Sequence, residues 1–141
     1  MKNDGFTLFE IITAFSLIGI ILAFNVPKIT TDFGYMDKMS EAFLTDVRFI
    51  QMEAMKYPTP KYQITVNSNE GKYYLRDEHK VVKMVSFKSR YKINYTGTGA
   101  LYFNIEGTPI HPGTFTIVDK KTNDSKSVTI VPTTGRTIIL E

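Results

Sequence analysis

Gly5-Phe6-Thr7-Leu8-Phe9-Glu10-Ile11-Ile12-Thr13-Ala14-Phe15-Ser16-Leu17-Ile18-Gly19-Ile20-Ile21-Leu22-Ala23-Phe24-Asn25-Val26-Pro27 is the stretch on which the fold turns. Its 21 residues from Phe6 to Val26 carry one charge, Glu10. At 1.5 Å per residue, a helix of that length matches a hydrocarbon core of about 30 Å, so the segment is expected to span a bilayer. Lys2 precedes the run and Lys28 follows it, so flanking charge orients it only weakly, and the short N-terminal stub favours N-in. A secretory signal peptide would need small residues at the end of the apolar run. The run ends Ala23-Phe24-Asn25-Val26-Pro27 instead. Glu10 stands out, because an ionised carboxylate inside a spanning helix costs about 2.5–3.5 kcal/mol and calls for a partner. The alternative is a position near the interface, solvated by headgroups. Thr13, Ser16, Gly19 and Ala23 place small side chains along one stripe, where a second helix can approach closely.

Beyond Pro27 the pattern becomes amphipathic. Met36, Met39, Phe43, Val47, Ile50 and Ala54 recur at steps of three and four, with Asp32, Asp37, Lys38, Glu41, Asp46, Arg48, Glu53 and Lys56 on the other sides. Tyr57-Pro58-Thr59-Pro60 ends that helix, Gly34 weakens it locally, and Pro27 removes one backbone hydrogen bond and kinks it. The expectation is one nearly continuous helix over residues 6–56.

After Pro60, short alternating runs are separated by turn residues. Strands are expected at Tyr62–Asn67, Lys72–Asp77, Val81–Lys88, Lys92–Tyr95, Leu101–Asn104, Thr114–Asp119, Ser127–Val131 and Arg136–Leu140. The fold class so read is α+β: a long N-terminal helix, its first half transmembrane and its second amphipathic, packed on an antiparallel β-sheet head. The divisions are residues 1–5 as a leader, 6–27 as the transmembrane helix, 28–57 as the amphipathic helix and 58–141 as the β-rich head. At 141 residues there is room for one such head.

Composition narrows the function. Without cysteine there are no disulfides and no thiolate metal sites. His79 and His111 lie in different turns with no carboxylate at ligand spacing, so no metal and no acid–base site is expected. No phosphate loop, nucleophile elbow or zinc-protease pattern occurs, and neither catalysis nor a cofactor is expected. The net charge of +3 is modest, yet residues 61–141 hold twelve basic against seven acidic side chains. Lys80, Lys83, Lys88, Arg90 and Lys92 fall within thirteen residues without an acid, interleaved with Phe87 and Tyr91. Such a patch suits phosphate backbones; solvated strand faces and edge protection account for it as well.

Gly5-Phe6-Thr7-Leu8-Phe9-Glu10, followed at once by an unbroken apolar run, resembles the signal sequence of type IV pilins and pseudopilins. The resemblance implies cleavage between Gly5 and Phe6 by a prepilin peptidase, N-methylation of Phe6, and pairing of Glu10 with the new amine of a neighbouring subunit during filament assembly. Pro27 matches a proline often found at that place in the family. Leu101–Thr108, Gly113–Ile117, Val128–Val131 and Gly135–Ile138 are similar to the heads of H-type minor pseudopilins and FimT-type minor pilins. The implied fold is the pilin fold. The implied function is that of a minor pilin or pseudopilin in a type IV pilus, a type II secretion system or a competence pseudopilus. Its partners would be other pilins, the peptidase, an inner-membrane assembly platform, and membrane lipid before assembly. Localisation would follow: leader cytoplasmic, head outside, then a surface filament. The alternative is a DNA receptor, with Lys83, Lys88, Arg90, Lys92 and Arg136 as contacts. FimT-type proteins carry a Gly-Arg-x-Arg element; Gly135 and Arg136 match it, and Ile138 replaces its second arginine.

Overall fold

The computed structural model describes residues 7–25 and 34–140, with the side chains of 22–25 excepted. The leader at 1–5, including Gly5, together with Phe6 and Pro27, lies outside the described residues. The chain divides into two units, Met1–Phe33 and Gly34–Glu141.

In the first unit, α1 runs Leu8–Asn25. Leu8, Phe9 and Phe15 are 74%, 75% and 69% exposed, and Ile11, Ile12, Leu17, Ile18, Ile20 and Ile21 are exposed with them, so apolar side chains ring the helix on all sides. Thr13 and Ser16 turn back on the helix backbone. The Thr13 hydroxyl donates to the Phe9 carbonyl at 3.0 Å, and the Ser16 hydroxyl donates to that of Ile12 at 2.8 Å.

The second unit opens on Gly34 at φ 67°, immediately before α2, Tyr35–Ala54. Among the described residues nine strands follow: β1 Tyr62–Asn67, β2 Lys72–Asp77, β3 Lys80–Ser86, β4 Tyr91–Tyr95, β5 Tyr102–Phe103, β6 Pro109–Ile110, β7 Thr114–Asp119, β8 Ser125–Ile130 and β9 Thr137–Leu140. They form three antiparallel sheets, β1-β2-β3, β4-β7-β8-β9 and β5-β6. An isolated bridge between Ile64 and Leu101 ties β1 to the segment entering β5. Phe43, Val47 and Ile50 of α2 are fully buried with Ile64, Tyr73, Ile93, Phe103, Phe115, Ile117 and Val128 of the strands. Phe43 stacks on Phe115 at 4.0 Å and meets the edge of Tyr73 at 5.3 Å, which fixes the helix between strands of two sheets.

These observations correct the expected fold class. One long N-terminal helix over residues 6–56 does not form. A left-handed residue cannot lie inside a right-handed helix, so Gly34 makes α2 start afresh. The helix α1 has 18 residues, about 27 Å. Among the described residues no helix is long and apolar enough to cross a membrane. The remainder is mainly β, divided among three sheets rather than gathered into one, so the pilin fold is not what is found.

Candidate functional site

At the start of α1 the sequence Thr7-Leu8-Phe9-Glu10 closes a reciprocal cap. The Thr7 N–H and hydroxyl donate to Glu10 Oε2 at 2.8 and 2.9 Å, and the Glu10 N–H donates to the Thr7 hydroxyl at 3.3 Å. This is a capping box, with threonine at the N-cap and glutamate three residues on. The Glu10 carboxylate thus has a structural task inside its own chain, at a position the sequence singled out for assembly. The signal for it was present in the Thr-x-x-Glu spacing. Beside it, Glu10, Ile11, Ala14, Phe15 and Ile18 line a hollow of about 320 Å³ on the helix surface. With Ala14 lying between larger neighbours one helical turn apart, this hollow can receive a side chain from a second helix.

The five basic residues named from the sequence do not converge. Lys83 of β3 reaches inward, donating to both oxygens of the buried Asp46 at 2.7 and 2.8 Å, and the Tyr73 hydroxyl donates to the same carboxylate at 2.7 Å. Burial, with the bond to Asp46, pushes the Tyr73 phenol far above its ordinary range. Lys83 gets there because the β2–β3 register shifts: Leu75 faces Lys83 and Arg76 faces Val81, leaving Val82 as an extra residue. An inward lysine and a bulge are protections natural edge strands use, and β3, an edge with Val81, Val82 and Met84 exposed, has both.

Arg90 forks onto Asp119, with Nε to Oδ1 at 2.9 Å and Nη2 to Oδ2 at 2.5 Å. The Arg90 fork, helped by the Lys121 N–H, lowers the Asp119 carboxyl to about 2 against the opposing effect of burial. Arg136 is exposed and follows Gly135, which packs on Gln51 near the end of α2, whereas the Lys88 ammonium lies 4.9 Å over the ring of Tyr35, at its first residue. Sixteen residues of helix, about 24 Å, separate those two anchor points. Lys88 and Lys92 do share a site, a hollow bounded by the β1–β2 turn, the β3–β4 loop and Lys120.

Sequence reasoning missed Asp46, Asp119 and Lys120. The first two had a signal. Asp46 lies three residues after Phe43 and four before Ile50, on the buried stripe of α2, and Asp119 continues the inward alternation of Phe115 and Ile117. Lys120 had none, because its neighbourhood depends on how the β7–β8 turn meets the β3–β4 loop.

His79 lies in the β2–β3 turn, where it lines a hollow of about 450 Å³ with Lys61, Tyr62, Glu78 and Tyr102. His111, at φ 57°, approaches the Thr98 hydroxyl at 3.4 Å through Nδ1. Among the described residues no group of three or more side chains is placed to hold a metal ion. No family model, no curated protein and no solved structure matches the chain.

Proposed function

We propose that this chain is a non-enzymatic subunit of a type IV pilin-like filament, a minor pilin or pseudopilin cut between Gly5 and Phe6 and methylated at Phe6. The observation that carries the reading is α1 itself: a helix apolar on every face, carrying one acid, that begins at Leu8, two residues after Phe6 in the sequence. Water does not tolerate such a surface, and it needs either lipid or other apolar helices around it. In the filament, neighbouring copies or related pilins supply that cover, and the hollow at Ala14 receives a neighbour's side chain. Glu10 then exchanges part of its bonding with Thr7 for the amine of an adjoining Phe6. Before assembly α1 is covered by lipid, and the prepilin peptidase and the inner-membrane platform are the partners met there. The placement this reading calls for is leader in the cytoplasm, head outside, and finally a surface filament. The system served is a type IV pilus, a type II secretion pseudopilus or a competence pseudopilus.

Glu10→Gln separates assembly from capping. Glutamine closes a capping box as glutamate does but bears no charge. Filament incorporation is expected to be lost in Glu10→Gln while the helicity of α1 in detergent is kept. Incorporation at the wild-type level would reduce Glu10 to a cap and remove the assembly role.

The second reading, a receptor for DNA, draws on Lys88 and Lys92 standing together beside Lys120. It predicts binding that falls steeply with salt and on charge reversal at Lys88, Lys92 and Arg136, checked by titrating an oligonucleotide at rising salt. The commitment of Lys83 to Asp46 and Arg90 to Asp119 leaves this the weaker of the two.

A further inference from the structure

We propose that the groove across the start of β1, between the β2–β3 turn and the segment leading out of α2, is a binding site for a neutral disaccharide. The inference is independent of the filament reading.

Two hollows make the groove. One, of about 450 Å³, is lined by Tyr62, Gln63, His79 and Tyr102; the other, of about 290 Å³, is lined by Tyr57 and Thr59; Pro60, Lys61 and Glu78 are walls of both. Hydrogen bonds hold these walls together. The Glu78 N–H donates to the Lys61 carbonyl at 2.9 Å and Gln63 Nε2 donates to the Glu78 carbonyl at 3.1 Å, which folds the β2–β3 turn back onto β1. The paired backbone bonds between Ile64 and Leu101, both 2.8 Å, set Tyr102 beside Gln63.

The fold leaves the polar groups of this groove open. The hydroxyls of Tyr35, Tyr73, Tyr74 and Tyr95 are all hydrogen-bonded within the chain. Those of the groove residues Tyr57, Tyr62 and Tyr102 make no hydrogen bond among the described residues, and neither do the Glu78 carboxylate and the His79 ring. Glu78 is moreover held at φ 52°, in a two-residue turn where glycine or asparagine is the unstrained choice. A carboxylate is thus kept at the groove against the preference of the backbone, as happens at binding sites.

Charge narrows the ligand. The Lys61 ammonium pairs with Asp77 at 3.4 Å, so Glu78 is the one charged wall residue without a partner among the described residues, and an anion is repelled. The same ammonium lies 5.5 Å over the Tyr62 ring, where a bound cation would have to sit. A neutral sugar meets neither obstacle. Its ring offers an apolar C–H face to a phenol ring, and its hydroxyls donate to the carboxylate and accept from the phenols, which uses both parts of each tyrosine. Two adjoining hollows suit two linked rings, within the size range of small-molecule sites.

The test uses the full chain in polyoxyethylene micelles, which carry neither charge nor sugar, with amide NMR shifts followed for cellobiose, maltose and N,N′-diacetylchitobiose. At least one of these is expected to shift Tyr57, Lys61, Glu78 and Tyr102 with millimolar affinity, weakened about tenfold or more in Tyr57→Ala and in Glu78→Gly and unchanged in Lys38→Gln. Glycine accepts the left-handed turn, so Glu78→Gly should keep the parent's thermal midpoint, which separates lost binding from lost folding. The proposal is overturned if no disaccharide shifts these residues, if sorbitol, which has the hydroxyls without a ring, binds as well, or if both variants bind as the parent does. Tetramethylammonium binding more tightly than the disaccharides would also overturn it, in favour of a cation site.

Discussion

Asp119 is held ionised by a forked arginine at the inward end of β7, and this has a consequence for acid stability. Its carboxyl, ordinarily near 3.8, is depressed to about 2 in the folded chain. A depressed acid stabilises the fold fully above its unfolded value and ceases to do so as pH falls through the folded one. Urea midpoints followed from pH 5 to pH 2 should therefore drop between about pH 4 and pH 2, and Asp119→Asn should flatten that part of the curve. An identical pH profile in the variant would show that the fork contributes nothing. Asp46 makes a different case, since it is buried and depends on Lys83 and Tyr73. Removing one partner of a buried pair costs about 3–5 kcal/mol. Lys83 is about half exposed, and solvent screening brings the expected loss for Lys83→Ala to about 2 kcal/mol, checked by chemical denaturation. Charge alone in the sequence could not separate these two basic residues from Lys88 and Lys92. Pairing across 37 and 29 positions is set by strand register, and local pattern does not carry it.

Elements were more legible than partners. Strands expected at 62–67, 72–77 and 114–119 form over those residues, because alternation and Gly/Asn/Asp turns are local signals. The two-residue β6, Pro109–Ile110, falls outside the strands expected from the sequence, since a strand so short has no period. The apolar stripe of α2 is buried at Phe43, Val47, Ile50 and Ala54, as its spacing implied. The continuous helix was the failure. In the sequence Gly34 reads as a local weak point, whereas its left-handed φ makes it the boundary at which α2 begins. The Gly135-Arg136 pair is a second case in which a glycine carries backbone geometry. Gly135 has φ 63°, and a Cβ there would stand 2.6 Å from the Gly107 carbonyl oxygen and 2.5 Å from Gln51 Nε2, which itself donates to that carbonyl. Gly135→Ala should cost about 2 kcal/mol or more through left-handed strain and the displaced Gln51 bond, read from the thermal midpoint. A variant as stable as the parent would show that the turn can relax.

Across the whole molecule, the contrast between the two units shapes the functional reading. Gly34–Glu141 buries its aromatic and aliphatic side chains in a core of its own and protects β3 with a bulge and an inward lysine. In the described part of the first unit, the apolar side chains stand exposed around α1. A helix of that kind is stable in a cell only when something covers it, and the proposed cover is a bundle of similar helices joined after Met1–Gly5 is removed. Mass analysis of the N-terminus, on protein made with and without a prepilin peptidase, tests this most directly. The account predicts a chain that starts at Phe6 and carries one added methyl when the peptidase is present, and a chain keeping Met1–Gly5 when it is absent. A chain that keeps Met1–Gly5 under both conditions would contradict it.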